Sequence, residues 1–501
     1  MNKPSLIALS LLLLPPPCFA NTEARKSQVV TPAHPHAAYP KPFSRPPVAG
    51  NDYDTWADAQ GPDVGALKPD SKHLPKRVDN SQRPEFPPIY EQGRHGACGQ
   101  YASVTSIFGY EQNVLNGTVA DSDATRFSPY FSWNMMNRAE NNGSEAYHGW
   151  EVAKRLGIPT AKTYGGVKFD TIGLWPDGYA VWREAMEYRL RGYRYSPVAT
   201  LEQLDEAKGW LFNRNQPGKT GGLLAMDGRM GKPPERTFSI AEGEYEEGKL
   251  IWTRWNPTGF GHGMACVGYD DEVGYDVNGD GKITNDIDTN GDGKVTLADW
   301  ERGAYIVANS WGKKWSAEGR IYLLYSAMID PDWKRGNYLG RVEVRRYQPR
   351  ATLRLKLSCS ERSNLRTRIG IAGGVEAETA EHEIAPEVLN GWPLFKGSNP
   401  GAVPIAGAGV DKPIELGIDV SELFDHLGKD DDGEARLFLN FGRAKKSKAE
   451  GQLLACALRR YDPNGKLIRE WPIEVQGGVF GDHELVIRTD LSLDSTLRPA
   501  G

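Results

Sequence analysis

Along the chain the spacing of apolar residues changes once, from helical to alternating. From Cys98 to about Leu115, Tyr101, Val104, Ile107, Phe108 and Leu115 form one stripe at three- and four-residue spacing, which predicts a helix burying one face. It should close at Asn116-Gly117, where glycine can take the left-handed conformation that ends a helix. Two more helices are predicted, from Glu145 to Leu156, stopped by Gly157 and Pro159, and from about Leu201 to Phe212. Then come MACVGY at 264–269, AYIVAN at 304–309 and RIYLLY at 320–325, short β-branched or aromatic runs that predict strands. Helices first and sheet second over residues 74–346 predict an α+β arrangement, two halves facing each other across a cleft. From about Tyr347 the runs TLRLKL, RIGIA, IELGID, ARLFLN, LLACALR, KLIREW and ELVIR are separated by Asn-Gly, Gly-Gly and Asp-rich turns. They predict a β-sandwich over residues 347–501, with one short helix at Val420 to His426.

The first twenty residues, MNKPSLIALSLLLLPPPCFA, hold one lysine, an apolar stretch from Leu6 to Leu14 and a small residue at Ala20. That is the pattern of an export signal cut after residue 20, so a secreted or periplasmic protein is expected. The stretch is too short to cross a bilayer, and no later segment offers 18 apolar residues, so no membrane span is expected. Residues 21–73 are rich in Pro, Ala, Gly and Asp and carry no persistent period; they predict a tether, a surface arm or a short pro-region. A length of 501 residues exceeds what one core usually serves, which fits two folded domains. Acidic residues number 65 against 60 basic ones, for a charge of -5, and no long basic run is present. Nucleic acid is therefore a poor candidate partner.

Past the signal there are four cysteines, Cys98, Cys266, Cys359 and Cys456. Without close C-x-x-C spacing they do not suit a four-thiolate zinc site. Cys359 and Cys456 could pair, or stay as two buried thiols. Cys98 is flanked by Gly96, Ala97 and Gly99 and opens the first predicted helix, where unpaired backbone N–H groups and the helix dipole favour thiolate. A thiolate nucleophile needs a general acid, for which histidine is best suited at ordinary pH. His262, between Gly261 and Gly263, would open a strand beside a cleft; His95 and His148 are nearer Cys98 in sequence, which does not decide geometry. Asn309, at the end of AYIVAN and before Ser310-Trp311-Gly312, could orient an imidazole without adding charge. Gln92 could join the Cys98 backbone N–H as an oxyanion donor.

Taken together these segments resemble the papain-like cysteine peptidases. Gln92-Gly93-Arg94-His95-Gly96-Ala97-Cys98 is similar to the family's glutamine-to-nucleophile motif, Gly261-His262-Gly263-Met264-Ala265-Cys266-Val267-Gly268-Tyr269 to its histidine segment, and Asn309-Ser310-Trp311-Gly312-Lys313-Lys314-Trp315 with EGRIYL to its asparagine segment and closing strand. The resemblance covers about residues 74–346. It implies a two-lobed catalytic domain with one helical and one β-rich lobe, acting on protein or peptide substrates. Cys98 would be the nucleophile, His262 the acid and base, Asn309 the orienter and Gln92 the oxyanion donor, with Trp311 shielding the His262 to Asn309 bond. Two departures stand out. His95 occupies the place of a cysteine that forms a disulfide in many members, and Gly99 the place of a tryptophan, which should loosen the wall beside the thiol. A non-catalytic binding protein on the same fold, or a transglutaminase or amidase using the same thiol chemistry, are the alternatives.

Between the histidine and asparagine strands lies DVNGDGKITNDIDTNGDGKVTLAD, residues 276–299. Two consecutive loops offer oxygen ligands at positions 1, 3, 5, 7 and 9 and a sharp-turn glycine at 6, the pattern of a Ca²⁺ loop. The first uses Asp276, Asn278, Asp280, the Lys282 carbonyl and Thr284, with Asp286 or Asp288 expected to replace the Ile287 at position 12. The second uses Asp288, Asn290, Asp292, the Lys294 carbonyl, Thr296 and Asp299. One structural calcium ion, or two, is expected there, and no catalytic metal. In the C-terminal region His382, His426 and His483 lack ligand spacing, and an accessory role is expected, binding a surface, a protein or a glycan.

Overall fold

The computed structural model describes residues 28–29, 74–137, 141, 143–165, 173–230, 235–237, 250–256, 260–329, 337–391, 403–427 and 433–492. The expected export signal, and all but two residues of the segment 21–73, lie outside these. No helix among the described residues is long and apolar enough to cross a membrane.

Helix α1 begins at Cys98 and runs without a break through Cys98–Gln100, Tyr101–Phe108 and Gly109–Asn116, the middle stretch wound as a π-helix. It closes on Gly117 at φ 64°, as the Asn-Gly pair predicts. Helix α2 (Pro129–Met136) escapes the periodicity because all eight of its residues are buried, leaving no polar face to mark a period. Helix α3 is Ala146–Arg155 and α4 is Tyr179–Glu187. Helix α5 (Leu201–Asn213) starts on a Thr200 and Gln203 capping box, which pairs orphan N–H groups of its first turn.

The strands before residue 347 are β1 (Gln28–Val29), β2 (Arg77–Asp79), β3 (Tyr188–Pro197), β4 (Leu224–Met230), β5 (Glu235–Thr237), β6 (Leu250–Trp252), β7 (Phe260–Gly274), β8 (Arg302–Ala308), β9 (Arg320–Leu324) and β10 (Tyr338–Arg346). All but β1 form one sheet in the order β3-β10-β4-β7-β8-β9-β6-β5, with β2 also on β7. The predicted strand pair is there: β7 and β8 are antiparallel, with Ala265 opposite Ala308. Helices precede most of this sheet, so the region is α+β, helical first and β-rich second.

After residue 347 come β11 (Ala351–Cys359), β12 (Leu365–Gly373), β13 (His382–Ile384), β14 (Ile414–Asp419), β15 (Glu434–Arg443), β16 (Gly451–Tyr461), β17 (Leu467–Ile473), β18 (Val479–Phe480) and β19 (Leu485–Ser492). They make two antiparallel sheets, β14-β11-β16-β17 with β18 on β16, and β1-β19-β15-β12-β13. The short helix α6 is Ser421–Asp425. Residues 28–29 of the arm thus sit on the outer edge of a C-terminal sheet, Gln28 opposite Arg488 and Val29 opposite Ile487. Cys359 and Cys456 are both free and buried. They occupy different rungs of the β11 and β16 ladder, Cys359 facing Gly451 and Cys456 facing Leu355, and burial pushes the Cys359 thiol up to about 11.

The two regions share one hydrophobic core. Helix α4 lies on β14, so close that a β-carbon on Gly417 would stand 3.1 to 3.2 Å from Tyr179, Met186 and Trp182. The Tyr179 hydroxyl reaches Thr352 Oγ1 and the Tyr461 hydroxyl, each at 2.5 Å, and Arg189 pairs with Asp419 at 3.0 Å.

Candidate active site

Because β7 and β8 are neighbours, residues 47 apart in sequence meet at one end of the sheet: His262 Nε2 lies 2.8 Å from Asn309 Oδ1. Both are nearly inaccessible, at 3% and 4% exposure. With Oδ1 as acceptor, Nε2 carries the proton, and in the neutral imidazole Nδ1 is then the free acceptor. The Trp311 ring stands 4.9 Å from the His262 ring and Phe260 stands 6.4 Å away on the open side. The Asn309 Oδ1 also accepts from the Ser310 N–H at 2.7 Å.

Cys98 starts α1 with no side chain capping the helix, so its first N–H groups are left to the thiol. The backbone N–H groups of Gly263, Gly99 and Cys98 itself favour the thiolate. Gly263 follows His262 and packs on Gly99, which joins the turn at Cys98 to the histidine strand. Burial nevertheless pushes the Cys98 thiol up, those N–H groups oppose it, and the Asp227 carboxylate adds to the rise. Burial likewise pulls His262 down to about 4, against the Asn309 bond. Desolvation thus opposes the helix terminus at Cys98 and disfavours the charged form of each group taken alone.

Gln92 is held on the asparagine segment. Its N–H bonds to the Ser310 carbonyl at 2.8 Å, its Oε1 accepts from the Ser310 hydroxyl, and its Nε2 donates to the His95 carbonyl at 2.7 Å. That uses one of the two amide N–H bonds, leaving one for a ligand.

Gly99 does not loosen the wall. A β-carbon there would lie 1.9 Å from the Ser144 carbonyl oxygen, and one on Gly263 would lie 2.8 Å from the Gly99 α-carbon. Three backbone segments meet where the resemblance places an indole. Gln100 fastens the same wall, donating to Ser144 Oγ at 2.9 Å and to the Glu145 carbonyl at 3.1 Å. His95 is not disulfide-bonded, but its Nδ1 lies 3.0 Å from the Tyr130 hydroxyl and its ring packs edge-on against Trp133. Asn141, which the sequence did not single out, grips the backbone on either side of His95: Oδ1 accepts from Gly96 N–H at 2.7 Å and Nδ2 donates to the Arg94 carbonyl at 2.8 Å.

The acidic insert lies at the opposite end of the β7 and β8 pair from His262. At roughly 3.3 Å per residue the strand between them is on the order of 35 Å long. Its two loops repeat one geometry. Asp276 accepts from the N–H groups of Gly279, Asp280 and Gly281, and Asp288 from those of Gly291, Asp292 and Gly293. Asp299 accepts from Thr289, Asn290 and Thr296 N–H. In the first loop the corresponding bonds, from Val277, Asn278 and Thr284, go to Glu301. Neither Asp286 nor Asp288 takes that place, as Asp288 is committed to its own loop. Among the described residues no group of three His, Cys, Asp or Glu side chains stands close enough together to hold a metal ion.

No protein-family profile matches the chain, and no curated protein matches it in sequence. Among solved structures it is similar to xylellain, a cysteine protease from Xylella fastidiosa, at 17% identity over 57% of this chain and 90% of that one, with a TM-score of 0.37. It is similar to digestive procathepsin L 3 of Tenebrio molitor larval midgut at 14% identity, over 58% of this chain and 79% of that one, with a TM-score of 0.37. For procathepsin B S9 from Trypanosoma congolense the values are 13%, 55%, 78% and 0.34. These are distant likenesses, and no residue's role is taken from them.

Proposed function

We propose that the chain is a cysteine peptidase with a papain-like catalytic region at residues 74–346, hydrolysing peptide bonds of protein substrates through an acyl-enzyme on Cys98. What supports it most is the 2.8 Å bond from His262 to Asn309 beside Trp311, on the strand whose Gly263 packs against Gly99, next to Cys98. In this reading the thiol proton passes to His262 Nδ1, and the Cys98 thiolate, paired with the imidazolium, attacks the substrate carbonyl. The oxyanion is held by the Cys98 backbone N–H and the second Gln92 amide N–H. The imidazolium then protonates the leaving amine, the C–N bond breaks, and a thioester remains. Water gives a proton to His262 and adds to the thioester, the C–S bond breaks to free the acid, and His262 returns that proton to the sulfur. Cys98→Ala should abolish cleavage of unfolded protein substrates with an unchanged thermal transition; retained turnover rules the reading out. Product masses separate hydrolysis from transfer to an amine, and binding without Cys98-dependent turnover would favour a non-catalytic protein.

The same reading makes residues 1–20 an export signal and residues 347–501 a β-sandwich. Each acidic loop is proposed to take one structural Ca²⁺, Glu301 and Asp299 supplying position 12. Calorimetric titration of metal-stripped Cys98→Ala protein tests this; no binding, or undiminished binding after Asp288→Ala with Asp292→Ala, overturns it.

A further inference from the structure

We infer that the C-terminal β-region helps to position the nucleophile loop, through Arg362. This residue, between β11 and β12, is 2% exposed. Its guanidinium leaves the C-terminal sheets and donates to two carbonyls of the helical lobe, Asn137 at 2.7 Å and Gly173 at 3.0 Å, while lying 5.0 Å from the Trp175 ring. Asn137 is the C-cap of α2, an end at which a buried cation is held by the helix dipole as well as by its hydrogen bonds.

Two grips on the nucleophile loop come from that same piece of chain. Tyr130 and Trp133 of α2 pack on His95. Asn141, four residues beyond Asn137 in the chain, straddles His95 with its bonds to Arg94 and Gly96. Cys98 follows two residues after Gly96. Arg362 therefore fixes, from another region, the end of the helix whose Tyr130 and Trp133 pack on His95, four residues before Asn141. A planar fork that satisfies two carbonyls at once is not reproduced by lysine, which is a point charge on a flexible stem. Arg362 and Asn141 are positioning residues: neither touches the thiol, and both act through the loop. Displacements well under the length of a bond are enough to slow a reaction that depends on a near-attack geometry.

The inference rests on Cys98 being the nucleophile only for its kinetic readout. Full-length Arg362→Lys, Asn141→Ala and the double variant are compared with the parent in three measurements: amide exchange of the peptide covering residues 92–98, alkylation of Cys98 by iodoacetamide, and kcat and KM on a peptide substrate. Each single variant should exchange faster over 92–98 and lose about tenfold in alkylation rate and kcat, with KM within about twofold. The double variant should be no worse than the poorer single one, since both changes release the same loop. Asp177→Asn, which removes the Lys412 ion pair elsewhere on the same interface, should leave all three unchanged. If Arg362→Lys does not fold, Arg362→Gln replaces it. Wild-type exchange and alkylation in the Arg362 variant, or effects that multiply in the double variant, overturn the inference. If the parent shows no Cys98-dependent turnover, the peptidase reading falls, while exchange and alkylation still decide this one.

Discussion

Gly99 and Ser144 are in backbone contact, with the place of a β-carbon on residue 99 only 1.9 Å from the Ser144 carbonyl oxygen. Neither partner can yield easily, because Gln100 ties Ser144 and Glu145 to the same helix. Gly99→Ala should therefore cost about 1–3 kcal/mol by overpacking, read as a lower unfolding midpoint in urea, and should lower the alkylation rate of Cys98. A variant as stable as the parent would show that the wall is loose.

The bond between His262 and Asn309 predicts a division of kinetic effects. Asn309→Ala should lower kcat roughly 10- to 100-fold, because a freely turning imidazole spends less time aimed at the sulfur, while KM stays within about twofold. Steady-state kinetics on one peptide substrate checks this, and an unchanged kcat contradicts the orienting role.

His262 also makes stability depend on pH. Burial holds it down at about 4 in the folded chain against an ordinary value of 6.5. Between those values the unfolded chain binds a proton that the folded chain does not, so stability rises with pH across this window. The contribution is fully present above about pH 6.5 and is lost as pH falls toward 4, at most about 3 kcal/mol. Urea unfolding of Cys98→Ala protein at pH 7 and pH 4.5 should therefore show a larger loss than the same protein carrying His262→Gln. Equal losses would mean that His262 titrates normally.

Glu301 receives N–H groups of Val277, Asn278 and Thr284 and is fully buried. Glu301→Ala leaves those donors unpaired, which should cost about 1–3 kcal/mol even without metal. With metal, calorimetry should find one calcium site fewer than in the parent, and Asp299→Ala should remove the other. An unchanged stoichiometry in both variants would show that these carboxylates only close the loops.

Truncation after Arg346 should not leave the preceding region folded. It strips Gly417 from α4, Thr352 and Tyr461 from Tyr179, and Asp419 from Arg189, and it exposes part of a shared core, so aggregation or a lost cooperative transition is expected. A truncated protein with the parent's near-ultraviolet circular dichroism and melting behaviour would make the C-terminal region a separable accessory.

The sequence by itself determined what is local. The stripe from Tyr101 to Leu115 and the Asn-Gly stop marked α1, and short runs between turns marked β11, β12, β14 to β17 and β19, though not the short β13 and β18, because period and turn chemistry act over a few residues. The motif residues Gln92, Cys98, His262 and Asn309 were legible for the same reason, each with its own flanking glycines or indole. Helix α2 was not, since a helix buried all round has no polar face to break its pattern. Only the tertiary structure decided which distant groups meet. The pairing of β7 with β8 brought His262 to Asn309, and the approach of the Ser144 backbone filled the space at Gly99. Glu301, not the nearer Asp286 or Asp288, closed the first acidic loop, and Arg362 reached the far end of α2. Each of these depends on a contact between segments tens or hundreds of residues apart, and a linear pattern carries no information about which of several chemically suitable partners the fold will place within a hydrogen bond. Burial, which pushes the Cys98 thiol up and opposes the helix terminus, is likewise a property of the folded surroundings and not of the residue.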